Sequence, residues 1–171
     1  MIGYTVKKLL MDKADTFVIP AQNVANVSAC NPLYHAMLVL TQVKFSMIPV
    51  LEDGDKYVGL VGLGNVMEKI FEVSPESIDP ENLKDYTVQD VIVEAPSITV
   101  DWTIEEVLHL LVDYAFIPVV EEDGTFVGIL TRKQMLKAVN YMAHVLESQN
   151  HVLPKECAAA DSEEKARIVI G

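Results

Sequence analysis

The sequence predicts an α/β protein of the α+β kind, in which one unit (helix, strand, helix, strand, strand, helix) is used twice. Three observations predict it. The block IPVLEDGDKYVGLVGLGNVM beginning at Ile48 returns as IPVVEEDGTFVGILTRKQML beginning at Ile117, with Pro49 facing Pro118 and Gly59 facing Gly128 at a constant offset of 69. Each block holds an Asp-Gly pair between two short aliphatic runs, the pattern of a hairpin whose turn needs positive φ. Each is preceded by apolar residues at helical spacing.

The repeat extends upstream with a drifting offset. Ala36 matches Val107 at 71, Val27 matches Val100 at 73, and Thr5-Val6 matches Thr87-Val88 at 82. Loop-length differences between duplicated units produce such a drift, whereas chance similarity would not preserve the order of features.

In the first copy a short helix is expected at 6–11 and a strand at 24–27. Asn31-Pro32 reads as an N-cap followed by proline at the first helical position. Leu33, Ala36, Met37 and Leu40 then give one apolar face. Strands at 47–51 and 57–61 flank Asp53-Gly54, and a closing helix is expected at 64–72. In the second copy Thr103-Ile104-Glu105-Glu106 is a capping box that opens a helix through Val107, Leu108 and Leu111. Strands at 116–120 and 126–130 flank Asp123-Gly124. The last helix, 133–150, carries an apolar stripe of Met135, Leu136, Val139, Met142, Ala143 and Leu146. The expected organisation is a first module at 5–72, a linker at 73–86 with two prolines and four acids, a second module at 87–150 and a tail at 151–171.

Composition removes several function classes. With 25 acidic against 13 basic residues the net charge is -12, a field that repels nucleic acid and anionic membrane. No apolar run approaches the roughly 18 to 20 residues that span a bilayer. The first residues lack the basic head and apolar centre of a secretory signal, so a cytoplasmic location is expected. Cys30 and Cys157 form no close pair and are expected as a small buried residue and a tail thiol. The four histidines, at 35, 109, 144 and 151, lack metal-ligand spacing. No nucleophile elbow, P-loop or dinucleotide fingerprint is present, so neither catalysis nor a cofactor is expected.

The duplicated hydrophobic-Pro-Val strand, acidic-Gly turn and Gly-hydrophobic strand end resemble a tandem cystathionine-β-synthase-type (CBS) pair, or Bateman module, over residues 5 to about 147. More narrowly, VIPAQNVANV, LYHAMLVLTQVKFSMIPVL and GILTRKQMLKAVN are similar to the stand-alone CBS-pair proteins of Firmicutes that bind cyclic di-AMP (the DarB/CbpB type). The resemblance implies a pseudo-two-fold pair of CBS modules and an adenine-nucleotide site in the cleft between them. It also implies a homodimer stacked through its helices, and a protein partner whose contact the ligand switches.

On that basis Asn23, Val24 and Ala25 are expected to face the ligand, the backbone at Val24 and Ala25 meeting an adenine edge. Phe45, Ser46, Met47, Ile48 and Pro49 are expected to add stacking, a hydroxyl and an apolar floor. Thr131, Arg132 and Lys133 join them where a strand ends and a helix begins. Unpaired N–H groups and the helix dipole suit phosphate there. Thr131 offers a hydroxyl and Arg132 a fork for phosphate oxygens. Arg132 is one of only two arginines. A cation at a helix N-terminus is disfavoured by roughly 0.3–1 kcal/mol, which favours a functional reason for it. The first-copy equivalent, 59–65, has neither cation nor hydroxyl, so one nucleotide per chain is expected.

The sequence departs from the subgroup pattern with Asn23 in place of a basic residue, Ser46 in place of threonine and Lys133 in place of arginine. Asn65 and Gln134 stand where many nucleotide-binding CBS modules hold ribose hydroxyls with an aspartate. That favours cyclic di-AMP over AMP, ADP or ATP. An energy sensor for the linear nucleotides and a ligand-free dimerisation module remain the alternatives.

Overall fold

The computed structural model describes residues 17–76 and 80–149. The helix expected at 6–11 and the tail at 151–171 lie outside the described residues. Seven strands and four α-helices follow in chain order. They are β1 (Val18–Pro20), β2 (Val27–Ser28), α1 (Leu33–Val43), β3 (Met47–Glu52), β4 (Lys56–Gly62), α2 (Leu63–Val73), β5 (Ile98–Thr99), α3 (Ile104–Asp113), β6 (Phe116–Val120), β7 (Phe126–Thr131) and α4 (Arg132–Gln149).

Each copy builds one sheet. The first has strand order β2-β3-β4, and the second has order β1-β7-β6-β5. Both hairpins form as the Asp-Gly pairs require, with Gly54 at φ 77° and Gly124 at φ 85°. The strand expected at 24–27 is instead divided. Ala21–Asn23 forms a 3₁₀ turn and only Val27–Ser28 pairs, in parallel with β3. The strand that precedes this turn, β1, was not anticipated, and it joins the second copy's sheet antiparallel to β7.

α1 begins one residue later than the sequence suggests. Pro32 keeps an extended ψ of 138° and is itself the cap residue. The Asn31 side chain instead turns back and accepts a hydrogen bond from the Ser28 amide at 2.9 Å. The Leu33 amide is satisfied by the Tyr86 carbonyl at 2.8 Å, so the helix start is closed by the chain entering the second copy. The Thr103 half of the expected capping box forms, its hydroxyl accepting from the Glu106 amide.

Two apolar cores result. Leu33, Ala36, Leu40, Ile48, Val50, Val61, Val66 and Ile70 make the first, and Leu83 and Val88 complete it. Ile98, Ile104, Val107, Leu111, Ile117, Val119, Leu130 and Met135 make the second, and Phe17 completes it. The segment that leads into each copy therefore packs on the other copy. Leu83 and Val88 cover the first core because leaving such side chains in water would cost about 1.5–3 kcal/mol each. Backbone bonds fix the exchange, from Val88 to Asn31, from Gln89 to Ala29 and between Leu60 and Val93. The two hairpin turns also meet, the Tyr57 amide donating to the Gly124 carbonyl and the Phe126 amide to that of Asp55.

No helix among the described residues is long and apolar enough to cross a membrane. Cys30, expected to be buried, is exposed. It lies in the turn after β2 with its sulfur 3.1 Å from the Ser28 hydroxyl, beyond the reach of the core that β2 faces.

Candidate functional site

The exchange of leading segments opens a cavity of about 450 Å³ between the two copies, within the range of small-molecule sites. One wall is Asn23, Val24 and Ala25, where the 3₁₀ turn unwinds. The Val24 amide donates to the Ala21 carbonyl, and the Val24 carbonyl accepts from the Asn26 side chain, so this wall is held locally at both groups. A second wall is Phe45, Ser46, Met47, Ile48 and Pro49, the entry to β3. Lys44 ends α1 in the left-handed conformation at φ 56°, and the chain turns there to bring Phe45 out with 61% of its surface exposed. Ile48 and Pro49 are buried beneath.

The opposite side comes from the second copy. Thr131 closes β7, and its hydroxyl oxygen accepts from the Gln134 amide at 3.2 Å, capping α4 while its hydrogen stays available to a ligand. Lys133 and Lys137 stand one turn apart on α4, and both line the cavity with Gln134. Ala115 and Phe116 from the start of β6, Ile129 from β7 and Ile19 from β1 complete it.

Ten of the eleven residues expected from the sequence are thus brought to one cavity. Arg132 is not. Its Nε donates to the Leu111 carbonyl at 2.7 Å, and one terminal nitrogen donates to those of Val112 at 3.1 Å and Tyr114 at 2.9 Å. These carbonyls end α3, where backbone acceptors lack intrahelical partners and a cation suits the dipole. The cations that line the cavity are Lys133 and Lys137.

Sequence reasoning missed Ile19, Ala115, Phe116, Ile129 and Lys137, and it named Gln134 only as the counterpart of a ribose-holding aspartate. Two signals were available. Lys137 follows Lys133 by one helical turn, and Ala115-Phe116 are the counterparts of Ser46-Met47 at the repeat offset. Ile19 had none, because nothing local shows that β1 crosses to the other sheet.

The cavity's charge is opposite to that of the molecule. Among the described residues its lining holds two lysines and no carboxylate, in a chain of net charge -12. The corresponding helix start in the first copy has Gly64 and Glu68 in place of Lys133 and Lys137. The Asn65 side-chain oxygen there accepts from the Gly62 amide at 3.1 Å, so it is committed to capping α2. Away from the cavity, burial and then the neighbouring Tyr114 push the Tyr57 phenol well above its ordinary pKa, and it donates to the Ala95 carbonyl at 3.2 Å. Among the described residues no group of three or more His, Cys, Asp or Glu side chains is placed to hold a metal ion.

Known proteins share this arrangement. The CBS domain profile matches residues 84–141. Cyclic di-AMP receptor B of Bacillus subtilis is 33% identical over 141 residues, which cover 82% of this chain and 95% of the receptor. The crystal structure of CbpB from Streptococcus agalactiae superposes with a TM-score of 0.80 at 28% identity, covering 90% of this chain and 96% of that one. The Listeria monocytogenes CbpB protein, solved in complex with c-di-AMP, gives a TM-score of 0.69 at 38% identity, over 78% of this chain and 98% of that one. With 33% identity over 141 aligned residues that span almost the whole of that receptor, the chain belongs to the CBS-domain protein family of cyclic di-AMP receptor B.

Proposed function

We propose that this protein is a non-catalytic, cytoplasmic receptor that binds cyclic di-AMP between its two CBS modules and thereby switches a contact with a protein partner. One observation carries the reading. In a strongly acidic chain, the cavity concentrates two lysines at one rim and, among the described residues, no carboxylate lines it, which matches a ligand with two phosphodiester charges. Apolar surfaces lie on both sides for two bases, Phe45 and Ile48 from one copy and Phe116 and Ile129 from the other. The Thr131 hydroxyl and the cap of α4 add donors where a phosphate would meet the lysines.

The linear nucleotides AMP, ADP and ATP are the second reading. They present a ribose diol that is best held by a carboxylate, and the lining supplies Gln134 instead. Relatives bear on the choice as well, since the receptor of Bacillus subtilis is named for cyclic di-AMP and the Listeria structure holds it. For the ligand to regulate, it must favour one partner-binding state of a homodimer over another.

Calorimetry on nucleotide-free protein tests this. Cyclic di-AMP is expected to bind once per chain and more tightly than AMP, ADP or ATP. Tight ATP binding with no heat from cyclic di-AMP would refute the reading. A ligand-free dimerisation module predicts that none of these nucleotides raises the melting temperature, although a bound ligand at 100 times its Kd adds about 2.7 kcal/mol.

A further inference from the structure

We propose that Arg132 is a positioning residue of the cavity and not a ligand for the bound anion. It fastens the end of α3 to the start of α4 and so sets the Ala115–Phe116 wall against Lys133 and Lys137. The proposal rests on the reading of the cavity as an anion site, but its structural half stands without a ligand.

Through Nε and one terminal nitrogen, Arg132 donates to three carbonyls, those of Leu111, Val112 and Tyr114, between 2.7 and 3.1 Å. Its backbone amide donates to a fourth, Ala115, at 2.9 Å. A single residue therefore ties down the whole corner from Leu111 to Ala115, and the corner ends in the cavity wall.

The repeat explains why the second copy needs this latch and the first does not. In the first copy α1 closes on Lys44, whose left-handed conformation returns its amide to the Leu40 carbonyl at 3.1 Å. That corner spends five residues from Leu40 to Phe45, whereas its counterpart spends three from Leu111 to Tyr114. The shorter corner enters extended backbone at Tyr114, with φ -100° and ψ 141°. The Tyr114 amide still reaches the Leu110 carbonyl at 3.0 Å, as Lys44 reaches Leu40, but with no left-handed residue the Leu111, Val112 and Tyr114 carbonyls are left for another donor. The guanidinium supplies the missing donors, its planar fork spanning several acceptors as an ammonium does not. The first-copy counterpart of Arg132 is Leu63, which has no donor to offer. The latch is thus confined to the copy that carries the lysines. The guanidinium is anchored at Nε and one terminal nitrogen and does not line the cavity, whereas Lys133 and Lys137 do.

Arginine Nε–H resonances test this directly, because the chain has only two arginines, at 132 and 167, and R132K assigns the signal by removing it. Expected is an Arg132 Nε–H that is sharp and protected from solvent exchange without ligand, and unshifted by saturating cyclic di-AMP. In ligand-free protein, R132K is expected to speed amide exchange at Tyr114–Phe116 by roughly tenfold, whereas K137A leaves it as in the parent. A signal that becomes protected or shifts only with cyclic di-AMP would make Arg132 an anion ligand and overturn the proposal. Parental exchange in R132K would overturn it equally. Should the parent bind no cyclic di-AMP, the anion reading fails, and the ligand-free protection and exchange still decide the latch.

Discussion

The ammonium of Lys56 lies 2.7 Å from the Asp123 carboxylate and joins the hairpin turns of the two copies. The same nitrogen donates to the Thr125 hydroxyl at 2.7 Å. Residues 56 and 125 are counterparts at the repeat offset of 69, and their backbones bridge, so the contact marks the pseudo-two-fold axis. This bond closes the pair at its turns, while the cavity lies at the ends of the strands where β3 begins and β7 finishes.

A pH dependence follows from that bond. Hydrogen bonds to Asp123, first from Lys56 and then from the Thr125 side chain and amide, hold its carboxyl well below the usual carboxylate range. The unfolded chain takes up its proton near the ordinary value of about 3.9, before the folded protein does. The stabilisation is therefore present above that pH and is lost as pH falls below it. D123N is expected to melt below the parent at pH 7, with the gap narrowing in acid and in high salt, since the pair is exposed. Parallel melting curves at every pH would deny the bond any role.

Gly128 faces the crossing strand. A Cβ there would overlap the Ile19 carbonyl oxygen, the point at which β1 pairs with β7. G128A is expected to cost about 1–3 kcal/mol through overpacking and to weaken nucleotide binding by displacing Ile19. G64A is the control, because open space surrounds Gly64 in α2 and alanine gains about 0.5–1 kcal/mol in a helix. Denaturant melts check both, and equal stability of the two variants would contradict the close approach.

Lys133 and Lys137 carry the ligand's charge in the proposed complex. K133A and K137A are each expected to weaken cyclic di-AMP binding by roughly ten- to a hundredfold, the loss of a hydrogen bond to a charged group at about 1.5–3 kcal/mol. Both side chains belong to exposed residues, so melting temperatures without ligand should stay near that of the parent. Calorimetry at two salt concentrations measures this, and parental affinity in both variants would take α4 out of the site.

Ala25 is the small residue of the first wall. A25F is expected to fill the space intended for a base and abolish binding while the fold persists, as circular dichroism and calorimetry would report. Unchanged affinity would place the base elsewhere.

Much of this was legible in the residues. The two hairpins follow from Asp-Gly between aliphatic runs, and the start of α3 follows from Thr103 three residues before Glu106. Both signals are local, so the chain carries them wherever it folds. Ten of the cavity's residues were legible through the family resemblance, whose motifs span Asn23–Ala25, Phe45–Pro49, Thr131 and Lys133.

The role of Arg132 was not legible. A cation opening a helix in an acidic chain suggests a phosphate, and only the folded corner shows three carbonyls of another helix already waiting for it.

By itself, then, the sequence determined the repeat, the two hairpins and the main helices, because periodicity, capping and turn chemistry act over a few neighbouring residues, while the expected cavity residues came from the family resemblance. Tertiary structure alone decided that β1 belongs to the second sheet, that Leu83 and Val88 complete the first core, and that the Arg132 side chain donates to carbonyls at the end of α3. The reason is physical. Each depends on which unpaired backbone group or uncovered apolar surface lies nearest in space, and partners 20 to 112 residues apart, such as Arg132 with Val112 and Val18 with Leu130, leave no local pattern in the chain.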